Sequence, residues 1–223
     1  MRRVVVVLAL LALALPMAAW ADSITVTNQT GTILISDTNG GLGTIGTSVI
    51  SSNGSQLTTF ALGSFSASSG KGSALGSVTF TTGTLASGSI SGGGTFNSGG
   101  IFDIVGQGKW MQGLAGSPKG KTALFTGSFV GPVDWTLDSK VGPKSTFTLT
   151  GTVAGVLYNG TSVKGTTSQT VYIYNNAQLI QGIGHVSIGS TTLSTVPEPG
   201  TLGLLGTGLV GIAGIFRRKL MGS

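Results

Sequence analysis

Apolar and polar residues alternate one for one along much of the middle of the chain. In Ser77-Val78-Thr79-Phe80-Thr81, Val78 and Phe80 share one side. Val133, Trp135 and Leu137 do the same against Asp134 and Thr136. Phe147, Leu149, Gly151 and Val153 alternate with Thr148, Thr150 and Thr152, and residues 184–188 alternate again, with Val186 and Ile188 on one side and His185 and Ser187 on the other. A period of two, with threonine on the polar side, predicts antiparallel strands that bury one face. Asn39-Gly40, Asn53-Gly54 and Asn159-Gly160 are hairpin dipeptides, because both residue types accept positive φ. Gly131-Pro132 and Gly142-Pro143 mark strand starts or edges. Strands separated by turns every 8 to 15 residues or so predict an all-β body, an antiparallel β-sandwich or an up-and-down barrel. A short solenoid, suggested by the spacing of Phe65, Phe80 and Phe96, ranks behind both.

The pattern changes at both ends. Residues 1–21 carry Arg2 and Arg3, then an apolar core over residues 4–15, then Ala19-Trp20-Ala21. That order predicts a secretory signal helix cut by signal peptidase after Ala21, with Ala19 and Ala21 as the small residues of the site. At the other end, Pro197-Glu198-Pro199 precedes an uncharged run over residues 200–216, and Arg217, Arg218 and Lys219 follow it. Seventeen residues span about 26 Å as a helix, just enough for one transmembrane helix with snorkelling basic residues. Pro197 and Pro199 hold an extended peptide before it. The basic cluster places that end in the cytoplasm and the body outside it. The expected domains are therefore 1–21, 22–195 and 196–219.

The tripartite end resembles the PEP-CTERM sorting signal of Gram-negative bacteria in residue type and order. The resemblance implies an exosortase-type membrane protease as partner, with Pro197, Glu198, Pro199, Arg217, Arg218 and Lys219 as the sorting motif. It implies transit through the inner membrane, then a place at the cell surface or outside the cell, in bacteria that make exopolysaccharide. Stretches of residues 78–153, such as Leu124-Phe125-Thr126-Gly127-Ser128-Phe129 and Phe147-Thr148-Leu149-Thr150-Gly151, resemble a recurrent body of PEP-CTERM proteins from Acidobacteria-type soil bacteria. That resemblance implies an all-β domain and supplies no catalytic residue.

Charge adds little. The formal net charge of +6 sits mostly at the two ends, and seven lysines against five aspartates leave residues 22–195 near neutrality. The high pI therefore gives no argument for nucleic acid. The absence of cysteine excludes thiol catalysis and Cys-ligated metal. No cofactor is expected. Gly41-Leu42-Gly43-Thr44-Ile45-Gly46 matches a dinucleotide fingerprint without the strand-to-helix context it needs.

Candidate chemistry is thin. His185 is the single histidine, and no G-x-S-x-G elbow accompanies it. Asp134 and Asp138 lie on the polar face and at the end of one predicted strand, which suits solvation better than the opposed carboxylates of a glycosidase. Gly99-Gly100-Ile101-Phe102-Asp103 is an incomplete calcium repeat. The sequons at Asn28, Asn53 and Asn159 read as turn residues. Tyr172 and Tyr174 share one strand face and Val171 and Ile173 the other, so the tyrosines contact sugar if the aliphatic pair is core. Lys109, Lys119 and Lys121 surround a loop over residues 113–120 that suits an anionic polysaccharide or plain solvation. The expected protein is an exported, non-enzymatic structural or adhesive component of the exopolysaccharide layer. A carbohydrate-binding module is the alternative, and an extracellular hydrolase a more distant one.

Overall fold

The computed structural model describes residues 23–37, 43–70, 73–174 and 182–195. The expected signal helix, the cleavage residues Ala19 and Ala21, the transmembrane helix, the sorting residues and the Asn39-Gly40 turn lie outside them. Among the described residues no helix is long and apolar enough to cross a membrane.

Residues Asp22–Thr195 form one compact unit. Among the described residues eleven strands build it: β1 (Ser23–Asp37), β2 (Ser48–Leu62), β3 (Phe65–Ser68), β4 (Gly76–Thr81), β5 (Leu85–Ser89), β6 (Gly93–Phe96), β7 (Gly99–Gln107), β8 (Lys121–Val141), β9 (Lys144–Leu157), β10 (Ser162–Ile173) and β11 (Ile183–Thr195). Eight of them close a ring in the order β1-β2-β4-β7-β8-β9-β10-β11, and β11 returns to β1. All pairings in the ring are antiparallel. The body is an up-and-down barrel, so of the two expected architectures the sandwich is excluded. Closure leaves no edge in the ring itself.

Alternation supplies the core. Phe147, Leu149 and Val153 of β9 point inward, as do Val133 and Trp135 of β8. Eight strands enclose a space that side chains just fill, and here Phe80, Phe102, Phe125 and Phe129 pack with ring centroids 5.8 to 6.4 Å apart. Each end is covered. At one, Trp135 stacks on Phe147 at 4.5 Å and donates its indole N–H to the Ile90 carbonyl in the β5–β6 turn, 2.9 Å away. At the other, a 3-10 turn over Lys109–Gly113 seats Met111 in the core, and Leu114 follows it inward. There Trp110 packs between Phe60 and Phe65 and donates to the carbonyls of Leu75 and Gln107.

Four expectations from local sequence fail. Asn53-Gly54 is not a hairpin turn: it sits inside β2 as a bulge against β4, with Ser52 and Ser55 on either side both inward. Gly131-Pro132 lies in the middle of β8, in an irregular stretch after the last pairing with β7 at Phe129 and before pairing with β6 begins at Val133. Ile188 does not share the buried side with Val186. It is half exposed, because Ser187 is an extra residue relative to β10 and shifts the parity of β11. Asn28 is no turn residue either: it is fully buried in β1. Asn159-Gly160 does turn β9 into β10, with Gly160 at φ 84° and the Thr161 N–H donating to the Asn159 side chain.

Buried polar groups concentrate on one side of the interior. Asn28 Nδ2 donates to Ser55 Oγ at 2.6 Å and to Gln169 Oε1 at 2.8 Å. Gln169 Nε2 reaches Thr167 Oγ1 at 2.9 Å, and Thr167 bonds Thr191 at 2.9 Å. The chain of bonds crosses β2, β1, β10 and β11, and every member is partnered, as buried polar groups must be.

A tyrosine and lysine groove on the outer wall

Three neighbouring strands kink at one level. β2 bulges at Asn53-Gly54 relative to β4, and β11 carries Ser187 as an extra residue relative to β10. Between them, Thr30 of β1 adopts φ 44°, uncommon for a β-branched residue. A shared bulge bends the strands and re-aims their side chains. Inward, the kink delivers Asn28 and Ser55 to the polar chain. Outward, it leaves a shallow groove of about 570 Å³ against β10.

Tyr172, Tyr174 and His185 line this groove, with Thr30, Thr32, Asn53 and Gln56 on the kinked side. Register explains the meeting. His185 is directly opposite Tyr172 on one side and Thr32 on the other, and Thr146 of β9 continues the row beyond Tyr172. Directly opposed residues hold their Cβ atoms about 5 Å apart. The condition set by the sequence is met: Val171 and Ile173 are buried, Tyr172 is partly exposed and Tyr174 is half exposed. His185 faces solvent on the same outer wall.

Lys144, the first residue of β9, is outside the lining but packs against its two tyrosines. Its ammonium lies 3.5 Å from the centre of the Tyr172 ring and 5.7 Å from that of Tyr174. A cation over an aromatic face gains roughly 0.5–2 kcal/mol, more as water is excluded. Lys144 was not among the residues singled out from the sequence. Parity with Thr146 and Thr148 places it on the outer face, and the Asn159-Gly160 hairpin puts β10 beside β9; that the hairpin keeps register without a bulge as far as Ser145 and Ile173 is what brings it to the tyrosines.

The other sequence candidates scatter. Trp135 is core. Lys109, Lys119 and Lys121 are exposed around the 3-10 turn and the loop after it, at the end of the barrel that also holds Ser23 and Thr195. Tyr172 lies nine residues along β10 from Val163, the partner of Thr195, or about 30 Å. The groove and the lysine loop are thus at opposite ends. Asp134 accepts from Thr95 and Asp138 from Thr148, both on the outer face of β8. Among the described residues no cluster of His, Cys, Asp and Glu could hold a metal ion.

No curated protein and no solved structure matches this chain. The family model of the PEP-CTERM protein-sorting motif matches residues 195–219, so the segment that follows the last strand is a sorting signal. The chain is therefore a protein bearing a PEP-CTERM motif, which marks it for export through the membrane and sorting to the cell surface by an exosortase.

Proposed function

We propose that the barrel is a non-enzymatic adhesive module of the exopolysaccharide layer, and that it holds sugar in the groove of Tyr172 and Tyr174. The observation that carries this is the pairing of two outward tyrosine rings with a concave, polar wall. A pyranose ring presents a C–H face to an aromatic ring and hydroxyls around its rim. Tyrosine offers both an apolar body and a polar tip. Asn53, Gln56, Thr30, Thr32 and His185 supply donors and acceptors around the rim. The sorting motif at residues 195–219 fits a surface role and assigns no residue of the barrel. What supports a binding role over hydrolysis is the lining itself, which holds no carboxylate among the described residues.

The test is a glycan array probed with the protein released from its host. Hits abolished by Tyr172→Ala with Tyr174→Ala support the groove. Turnover of a glycan, lost on changing His185, would instead establish a hydrolase. An array without hits would leave a purely structural role.

A further inference from the structure

The chemistry of the groove points to the class of sugar. Resting on the sugar-binding reading above, we infer that the groove selects acidic sugars: a carboxylate-bearing residue, such as a uronate, with its carboxylate on the Lys144 ammonium and its ring beside Tyr174.

Three observations converge. First, Lys144 is positioned rather than loose. Its ammonium sits over Tyr172 and within reach of Tyr174. Lysine carries much side-chain entropy. Two aromatic faces that already fix the head lower the ordering cost of a new contact. Second, a π face satisfies the charge but takes few of its three N–H donors. The site can therefore still bond a carboxylate, and charge-assisted bonds are the strong ones. Third, the groove walls are neutral or basic. The lining holds hydroxyls, amides, two phenols and one imidazole. Asp138 and Asp134 lie outside the lining, on β8, two strands away from Tyr172; Asp138 accepts the Thr148 hydroxyl at 2.6 Å and Asp134 accepts from Thr95. An anionic ligand meets the Lys144 ammonium beside the tyrosines and no carboxylate in the lining.

The geometry also separates this site from general charge attraction. Lys109, Lys119 and Lys121 lie at the other end of the barrel, about 30 Å along the strands. They serve as an internal control.

The experiment compares oligogalacturonate with its methyl ester, which has the same backbone without the charge. It uses the released full-length mature protein and four variants: Lys144→Gln, Lys144→Arg, Tyr174→Ala and the pair Lys119→Gln, Lys121→Gln. A neutral glycan array runs in parallel. The expected result is that the acid binds about tenfold or more tighter than the ester. Lys144→Gln should abolish that preference, Tyr174→Ala should weaken acid and ester alike, Lys144→Arg should keep most of the preference, and the Lys119/Lys121 pair should leave it unchanged. Equal binding of acid and ester, or loss on changing Lys119 and Lys121 alone, overturns the acidic selectivity. If neutral glycans bind and only the tyrosine variants matter, the sugar reading stands and this inference fails. If neither the uronates nor the array bind, both fail.

Discussion

Asn28 and Gln169 are 141 positions apart in sequence, yet Asn28 Nδ2 donates to Gln169 Oε1 at 2.8 Å inside the barrel. Both are fully buried, and each relies on the other. Removing one partner strands the other without water. Asn28→Leu or Gln169→Leu should each cost about 2–4 kcal/mol, measured by urea unfolding, because one amide is left with unmet bonds. The double variant should cost clearly less than the sum, since neither amide then remains to be satisfied. Full additivity would show that the two are not coupled.

Gly189 borders the same bond. A Cβ there would collide with Gln169 Oε1 and Asn28 Oδ1. Gly189→Ala should destabilise the barrel by about 1–3 kcal/mol without changing its secondary structure, read by thermal unfolding followed by circular dichroism. A neutral result would mean that the amides can retreat at no cost.

Tyr158 makes an opposite case. Its ring packs on the core and its hydroxyl is sealed from solvent without a partner. Burial pushes the Tyr158 phenol above the ordinary tyrosine value of 10.0. The unfolded chain therefore releases this proton first as pH rises, so the folded state binds more protons above about pH 10 and stability falls there. Below that window both states are protonated and the group contributes nothing to pH dependence. Tyr158→Phe should flatten the alkaline loss. At neutral pH it should leave stability unchanged or raise it by about 1 kcal/mol, since an unmet hydroxyl is removed. Chemical denaturation at pH 8 and at pH 10.5 decides this, and a destabilised Tyr158→Phe at pH 8 would refute it.

Thr30 holds φ 44°, where a β-branched side chain is crowded. Strain of this kind costs of order 1–3 kcal/mol and persists only where the surroundings impose it. Thr30→Gly should relieve it and leave unfolding stability equal or higher, despite the added entropy of glycine in the unfolded chain. Thr30 also lends a hydroxyl to the groove rim, so sugar binding by this variant should weaken by a few-fold, and complete loss would mean that the groove depends on the strained kink.

Replacement of Pro197, Glu198 and Pro199 by alanines tests the sorting signal in the native host. The intact mass of wild-type protein should end before the basic cluster, at or near the motif. The variant should retain Arg217, Arg218 and Lys219 and remain in the inner membrane. Retention of the basic cluster by both proteins would mean that the motif is not processed.

The strand content was legible because burial of one face imposes a period of two, which β9 follows from Phe147 to Val153. Parity fails at bulges. Nothing in Asn53-Gly54 distinguishes a turn from an extra residue in a continuing strand, since both need the same backbone freedom. Ile188 faces outward against the alternation for the same reason: Ser187 shifts the count only because β10 lacks the matching residue. The tyrosines were placed correctly on the condition of a buried Val171 and Ile173, which is a local matter. Lys144 was missed because its role lies in a neighbour from another strand.

The sorting tail and the all-β character follow from the residues alone. Both are written in contiguous residues, the first as a short motif with a fixed order and the second as alternation along single strands. The rest arises from contacts between distant strands. Closure into a ring of eight depends on the pairing of β11 with β1, which are more than 140 residues apart. The shared kink of β2, β1 and β11 depends on register between strands, and that kink both buries Asn28 and opens the groove beside Tyr172. Pairing and register are set by how all the inward faces pack at once, so no single stretch of sequence contains them.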